Sequence, residues 1–284
     1  MYVKELFRSI RTRLSAKFGE AEAKEMACVI FENLKGWNMT DILVKSEDEI
    51  SDYIVGKADN VVDRLINKDE PIQYIFGWAH FYGMLLKVNK FTLIPRQETA
   101  QLVDIIVDEN RDRLDLKVLD VCTGSGCIAV ALSRNLKFAD VTGIDISSEA
   151  LEVAKENAKT LKCDIDFVCD DIFTIENASS PCYDIIVSNP PYIAEFEAKK
   201  MAANVLDYEP HIALFVPDND PLKFYRRIAE YANAALCSDG ELYFEINPLF
   251  ADNLVSYLRK EGWRSVELIR DMYGKNRFVK AFHP

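Results

Sequence analysis

The chain has 284 residues, 49% of them hydrophobic and 28% charged, enough for a substantial core and a smaller appended domain. A formal net charge of −12 argues against a large nucleic-acid footprint, because binding to phosphate needs Lys and Arg patches. The longest apolar runs are short and strand-like, none long enough to span a bilayer, and the mixed-charge N-terminus is unlike a secretory or transit peptide.

Residues 1 to about 70 carry helical spacing. Val3, Phe7, Ile10, Leu14 and Phe18 recur at steps of three and four, as do Ala23, Ala27, Ile30 and Leu34. Gly36 closes the second helix, Ser46 with Glu49 forms a capping-box pattern for another, and Ile54, Ala58, Val61 and Leu65 give a third stripe. A small helical bundle over 1–72 is expected. Pro71 interrupts it. From Tyr74 to Ile94, aromatic and β-branched residues punctuated by Gly77, Gly83 and Asn89 predict a strand pair, so residues 73–97 read as a β-hairpin linker.

A helix is expected from near Glu98-Thr99, and then strands and helices alternate over 98–284. Lys117 to Val121, Val141 to Ile144, Ile165 to Val168, Tyr183 to Val187 and Glu241 to Ile246 read as strands. Cys127 to Asn135, Ser148 to Leu161 and Pro221 to Leu236 read as helices. This rhythm predicts an α/β fold with a mostly parallel sheet covered by helices on both faces. Arg264 to Arg270 and Arg277 to Phe282 flank a turn at Tyr273-Gly274-Lys275-Asn276, so an antiparallel C-terminal edge is expected. The seven cysteines are odd in number and include no CxxC pair, so reduced thiols are expected rather than a disulfide framework or zinc site. With three histidines, no metal centre is expected.

Asp120-Val121-Cys122-Thr123-Gly124-Ser125-Gly126 joins a strand to a helix. Its glycines let backbone amides approach a ligand at the switch point of such a sheet. Asp145 ends the next strand, where a carboxylate can accept hydrogen bonds from both ribose hydroxyls of an adenosine moiety. The loop also satisfies the dinucleotide fingerprint through Gly124, Gly126 and Ala129, which keeps a nicotinamide dehydrogenase open at this point. Asp120 weighs the other way. An acid ahead of the loop suits a cationic ligand, such as the amino group of a methionine moiety, and would repel a pyrophosphate.

Ser188-Asn189-Pro190-Pro191-Tyr192 follows the apolar strand 183–187 and narrows the chemistry. The nitrogen of a planar amide or aromatic amine is a poor nucleophile, because its lone pair is delocalised. Two in-plane acceptors can hold both NH2 protons and aim the lone pair at a sulfonium methyl. Asn189 offers its side-chain carbonyl and Pro190 its backbone carbonyl, while Pro191 stiffens the loop and Tyr192 can lie over the planar group. Methyl transfer by in-line displacement, through positioning and electrostatics, is the reaction this implies. A dehydrogenase has no use for that segment.

The chain resembles the HemK/PrmC-type protein-(glutamine-N5) methyltransferases along nearly its whole length. The motifs are Glu70-Pro71-Ile72-Gln73-Tyr74-Ile75-Phe76-Gly77, Leu93-Ile94-Pro95-Arg96-Gln97-Glu98-Thr99, the loop 120–126 with Asp145, the segment 189–192, Tyr208 to Leu214, and Arg270-Asp271 with Gly274 and Arg277. The resemblance implies a Rossmann-like class I methyltransferase domain that uses S-adenosyl-L-methionine and leaves S-adenosyl-L-homocysteine. It assigns Asp120, Cys122, Thr123, Gly124, Ser125, Gly126, Asp145, Ile146, Asp171, Ile172 and Asn189 to the cofactor. Asn189, Pro190, Pro191 and Tyr192 go to the substrate, with Asn189, Pro190 and Tyr192 at the chemistry. The implied substrate is the Gly-Gly-Gln glutamine of class I peptide release factors, gripped through the helical N-terminal domain in the cytoplasm, with no nucleic acid or membrane involved. Where the family carries an aromatic residue near the adenine, this chain has Asp171-Ile172-Phe173, so only an apolar contact is expected of Ile172. Gln97 replaces a proline, Phe215 to Asp220 replaces a glycine-rich segment, and Arg96 and Glu98 either orient the substrate loop or pair with each other. The rivals are a ribosomal-protein glutamine methyltransferase and an adenine-N6 nucleic-acid methyltransferase. The latter must extract its base from a stack and usually carries a basic recognition region.

Overall fold

The computed structural model describes residues 1–175 and 182–284, and its backbone contacts divide them into two units, 1–77 with 203–208, and 78–202 with 209–284. In the first unit, α1 (Val3–Phe18), α2 (Glu20–Lys35), α3 (Met39–Val44), α4 (Asp52–Asn67) and α5 (Ile72–Phe76) turn their apolar stripes inward around Leu6, Ile10, Ile30, Phe31, Val62 and Leu65. Gly36 ends α2 in the left-handed region, at φ 70°. Ser46 and Glu49 start no helix. The Ser46 carbonyl accepts from Lys4 N–H and Glu49 bridges Tyr2, so the capping box falls instead to Asn38 and Asp41 at α3. Residues 74–76, expected to open the strand pair, wind instead into α5 because Pro71 supplies the helical entry and Gly77 the left-handed exit, at φ 79°. The Arg64 guanidinium grips both Glu70 carboxylate oxygens, at 2.6 and 2.7 Å, which anchors the chain between α4 and α5.

The second unit opens with the hairpin β1 (Trp78–Phe81) and β2 (Met84–Lys87), followed by α6 (Gln97–Asn110), β3 (Lys117–Val121), α7 (Cys127–Asn135), β4 (Asp140–Asp145), α8 (Ser148–Leu161), β5 (Ile165–Cys169) and β6 (Tyr183–Ser188). A short pair, β7 (Ile193–Ala194) and β8 (Phe215–Val216), flanks α9 (Ala203–Leu206), which clusters with the helical unit. Then come α10 (Lys223–Ala235), β9 (Leu236–Glu245), α11 (Ala251–Lys260), β10 (Arg264–Arg270) and β11 (Asn276–Phe282).

The seven-stranded sheet has the order β10-β11-β9-β6-β3-β4-β5. Its strands from β9 to β5 are parallel, and β11 is antiparallel to both its neighbours. The expected hairpin therefore completes that edge, with β11 as the reversed strand. One face is covered by α10 and α11 over Ile186, Leu242 and Phe244. The other is covered by α6, α7 and α8 over Val118, Ile185 and Tyr243. No helix among the described residues is long and apolar enough to cross a membrane.

One feature departs from sequence expectation, and a second is a tie for which sequence reading gave no expectation. The parallel pairing of Tyr183 with Leu236 brings Cys182 and Cys237 to a Cα separation of 5.0 Å, and these two are joined as a disulfide, which corrects the all-thiol expectation for that pair. Asn157 on α8, buried at 2% exposure, accepts from Lys87 N–H at 2.7 Å and donates to the Lys87 and Ser125 carbonyls at 3.0 and 2.9 Å. It thus ties the hairpin and the glycine loop to one helix. Asn157→Leu strands three backbone groups, one buried and two partly buried, and is expected to cost about 1–3 kcal/mol in denaturant unfolding. A loss well under 1 kcal/mol would remove this tie as a stabilising element.

Candidate functional site

The loops after β3, β4, β5 and β6 all leave the carboxyl edge of the sheet, and between them lies a cavity of about 290 Å³. This is the crevice where open α/β sheets bind ligands. The glycine loop is shaped by steric demand as well as by hydrogen bonds. Gly126 has φ 77°, and a Cβ there would come within 3.0 Å of the Ala154 side chain on α8. Gly143, on β4 beneath the loop, leaves room for the Phe167 ring and the Thr123 hydroxyl, which a Cβ would meet at 2.9 and 3.1 Å.

Cys122, Thr123, Gly124, Ser125, Asp145, Ile146, Asp171, Ile172, Asn189 and Pro191 line the cavity. Gly126 sits just outside it as the N-cap of α7, and Asp120, Pro190 and Tyr192 are not on its wall. Pro190 lies between two lining residues, its ring buried, and among the described residues no hydrogen bond uses its carbonyl oxygen. The Tyr192 ring packs against the core below α10, and its hydroxyl donates to Glu245 Oε1 at 3.0 Å, so it does not lie over the cavity.

Asp120 is fully buried behind the loop. Its Oδ2 accepts from the Thr123 hydroxyl at 2.6 Å and from Ala129 N–H at 3.1 Å, fastening the loop to α7. Its Oδ1 has no partner. Burial pushes this carboxyl up to about 7, against the pull of those two donors. A raised folded value means that the unfolded chain gives up this proton first as pH climbs from about 4 to about 7. Folding stability is therefore lost across that window and stays reduced above it. Asp120→Asn removes the titration. Its melting temperature relative to wild type is expected to climb from pH 5 to pH 8, by the equivalent of roughly 2–3 kcal/mol. A difference that is flat in pH would show that Asp120 does not titrate there.

Asp145 accepts from Gly124 N–H at 2.8 Å through Oδ2 and from Ser147 N–H at 2.9 Å through Oδ1. Each oxygen retains acceptor capacity, and Asp145 lines the cavity. Past it, Ile146, Ile172, Phe173 and Phe224 form an apolar slot, with the two Phe rings edge-on at 5.0 Å and the Lys223 ammonium 4.5 Å from the Phe173 ring centre. Phe224 and Lys223 come from α10, which the sequence does not connect to the site. The charged residues on the wall are Asp145, Asp170, Asp171 and Lys223, an excess of acid that opposes a pyrophosphate and suits a cationic ligand. These residues fit S-adenosylmethionine and not a dinucleotide. Burial pushes the Cys127 thiol up to about 12 and that of Cys122 higher still, so the wall presents no thiolate nucleophile.

At the other end, Asn189 is held from behind. Its Nδ2 lies 3.2 Å from Thr99 Oγ1, and the Thr99 hydroxyl donates to Glu245 Oε2 at 2.7 Å. Thr99 and Glu245 are 2% and 1% exposed. Sequence reading gave neither of them a role, although a carboxylate closing the apolar run Leu242-Tyr243-Phe244 at the carboxyl edge of the sheet is a visible signal. Arg96 pairs with the buried carboxylate of Glu209, which also accepts from Ile94 N–H at 3.1 Å. The open question about Arg96 and Glu98 thus resolves to a third residue, and the pair braces two cavity-lining segments, one with Leu93 and Pro95, the other with Ile212 and Ala213.

Residues 5–77 match the family model described as PrmC N-terminal domain, and residues 98–208 that described as Methyltransferase small domain. A release factor glutamine methyltransferase of Bacteroides thetaiotaomicron is 43% identical over 272 residues, covering 96% of this chain and 97% of that protein. One from Flavobacterium psychrophilum is 40% identical over 97% of this chain and 99% of its own length. A methyltransferase structure from Pyrococcus furiosus shares the fold, with a TM-score of 0.50 at 16% identity over 80% of this chain and 97% of its own. With relatives this similar over nearly their full length, the chain belongs to the release factor glutamine methyltransferase family.

Proposed function

We propose that this protein transfers a methyl group from S-adenosylmethionine to the side-chain amide nitrogen of a release factor glutamine, the one in the Gly-Gly-Gln motif. The observation that carries the reading is Asn189 on the cavity wall with its amide NH2 turned to Thr99, which leaves Oδ1 as an acceptor beside a pocket whose charged residues are mostly acidic. Bound S-adenosylmethionine would supply an electrophilic methyl on a sulfonium. Asp145 would take the ribose hydroxyls, and Thr123, Gly124 and Ser125 would border the methionine portion. Asn189 Oδ1 and the Pro190 carbonyl would each accept one proton of the glutamine NH2. That grip fixes the amide plane so that the nitrogen lone pair, which stands perpendicular to it, faces the methyl in line with the sulfonium bond that breaks, and no covalent intermediate or strong base is needed. The nitrogen becomes acidic only once it is alkylated, and its proton then leaves to solvent. The match of residues 5–77 to a domain shared with release factor enzymes supports a protein substrate over a nucleobase, as does the net charge of −12.

The test is transfer of labelled methyl from S-adenosylmethionine to a recombinant class I release factor, beside a Gln→Ala release factor and an Asn189→Ala enzyme. Label on the normal pair alone is the expected result. An unlabelled release factor, with cofactor binding confirmed and both proteins folded, would overturn the assignment and direct the assay to ribosomal protein and then to nucleic acid.

A further inference from the structure

We propose that Glu245 and Thr99 are positioning residues that fix which way the Asn189 amide faces, through a directed hydrogen-bond relay from Asn189 to Glu245. The kinetic arm of this inference rests on the glutamine-methylation reading; the spectroscopic arm does not.

An asparagine amide is nearly symmetric in shape, so packing alone cannot tell its oxygen from its nitrogen, and only hydrogen-bond partners can. The two orientations are chemically opposite here. One presents an acceptor to a substrate NH2, and the other presents a donor that would repel it.

The neighbourhood forces the choice. Glu245, as a buried carboxylate, has only acceptors to offer, and it receives the Thr99 hydroxyl on Oε2 at 2.7 Å and the Tyr192 hydroxyl on Oε1 at 3.0 Å. A hydroxyl has a single proton. Once Thr99 spends it on Glu245, its oxygen can only accept, and the atom 3.2 Å away must be Nδ2 of Asn189. Oδ1 is thereby left as the acceptor for the cavity. Burial raises the Glu245 carboxyl above the usual range, against the pull of the two hydroxyl donors and the nearby Arg277 guanidinium, and Glu98 adds to the rise. The direction of the relay rests on the hydrogen-bond geometry, with Glu245 as the acceptor of both hydroxyls. Arg277 is itself held by Asp271 at 3.3 Å. Residues 99, 189, 192 and 245 come from α6, the loop after β6, and the end of β9, so the relay exists only in the folded unit.

The experiment compares wild type with Thr99→Val, Thr99→Ser and Glu245→Gln, each checked for its melting temperature and for cofactor affinity by calorimetry. Thr99→Val keeps the shape and removes the hydroxyl. Glu245→Gln keeps the shape and can donate to Thr99, which returns the Thr99 proton to Asn189 and reverses the relay. Both are expected to lower kcat by about 10- to 100-fold with cofactor affinity and release factor KM little changed. Thr99→Ser restores the relay and most of kcat. In the free enzyme, selectively 15N-labelled Asn189 is expected to show one slowly exchanging Nδ2 proton that is lost in Thr99→Val and Glu245→Gln and kept in Thr99→Ser.

Wild-type kcat in a folded Thr99→Val, or equal losses in Thr99→Val and Thr99→Ser, overturns the relay. So does an Nδ2 signal indifferent to residue 99. A wild-type enzyme that leaves the release factor unlabelled but shows the slow Nδ2 proton overturns the substrate reading and supports the relay.

Discussion

Replacing Asn189 by Ala is expected to lower the rate of methyl transfer by about 10³-fold or more, with the cofactor dissociation constant within about threefold of wild type. The size follows from what the amide does. A glutamine nitrogen in its resonance-stabilised form has almost no lone pair to offer, and two in-plane acceptors are the available means of directing it. Removing one leaves the glutamine amide loosely held and its second proton without a protein acceptor. Asn189→Asp keeps an acceptor toward the cavity but faces the Thr99 oxygen with a second one, so it is expected to recover only part of the loss. Single-turnover transfer at saturating cofactor reads this step directly. If Asn189→Ala turned over within tenfold of wild type, the amide-gripping role would have to be abandoned.

Asp145→Ala carries the second large effect, an expected loss of about 10²- to 10⁴-fold in cofactor affinity. Two ribose hydroxyls donating to a carboxylate form charge-assisted hydrogen bonds, each worth about 1.5–3 kcal/mol. The same carboxylate takes Gly124 N–H and Ser147 N–H, so its removal also frees the loop whose amides would face the methionine portion. Asp145→Asn keeps one acceptor and sets an NH2 against a backbone N–H, and an intermediate loss is expected. Calorimetric titration, with the fold checked by thermal unfolding, measures both. An Asp145→Ala enzyme that bound S-adenosylmethionine as wild type does would put the adenosine elsewhere.

These expectations draw unequally on sequence and structure. The helices Cys127–Asn135 and Ser148–Leu161 and the strand Arg264–Arg270 are legible to the residue because local periodicity and flanking breakers agree. The capping pattern at Ser46 and Glu49 misleads because those residues are drawn into pairing with Lys4 and Tyr2, a tertiary demand no local pattern reveals. The glycine loop, Asp145 and Asn189 can be read because each stands just after an apolar strand. Tyr192 is harder: its place in the motif suggests a stacking ring, whereas the hydroxyl is claimed by Glu245, 53 residues further on. Thr99 reaches Asn189 across 90 residues and Phe224 reaches the slot from another helix; neither pairing leaves a mark in the local sequence. Gly143 is silent for a different reason. Its backbone is ordinary strand, and the Phe167 ring and Thr123 hydroxyl packed over it explain the missing side chain.

The reversed strand β11 bears on how the protein is made. It slots between β9 and β10, pairs Phe278 with Glu245, and receives Ile246 N–H on the Arg277 carbonyl at 2.8 Å. Every other strand of the sheet precedes it in the chain, so during synthesis β9 waits as an open edge of apolar residues, a template for pairing with the wrong neighbour. The charge that favours an ionised Glu245 arrives on that same late strand, at Arg277. The glycine loop and the apolar slot are built from residues that precede this strand, so the last strand to emerge both closes the edge of the sheet and brings Arg277 to Glu245.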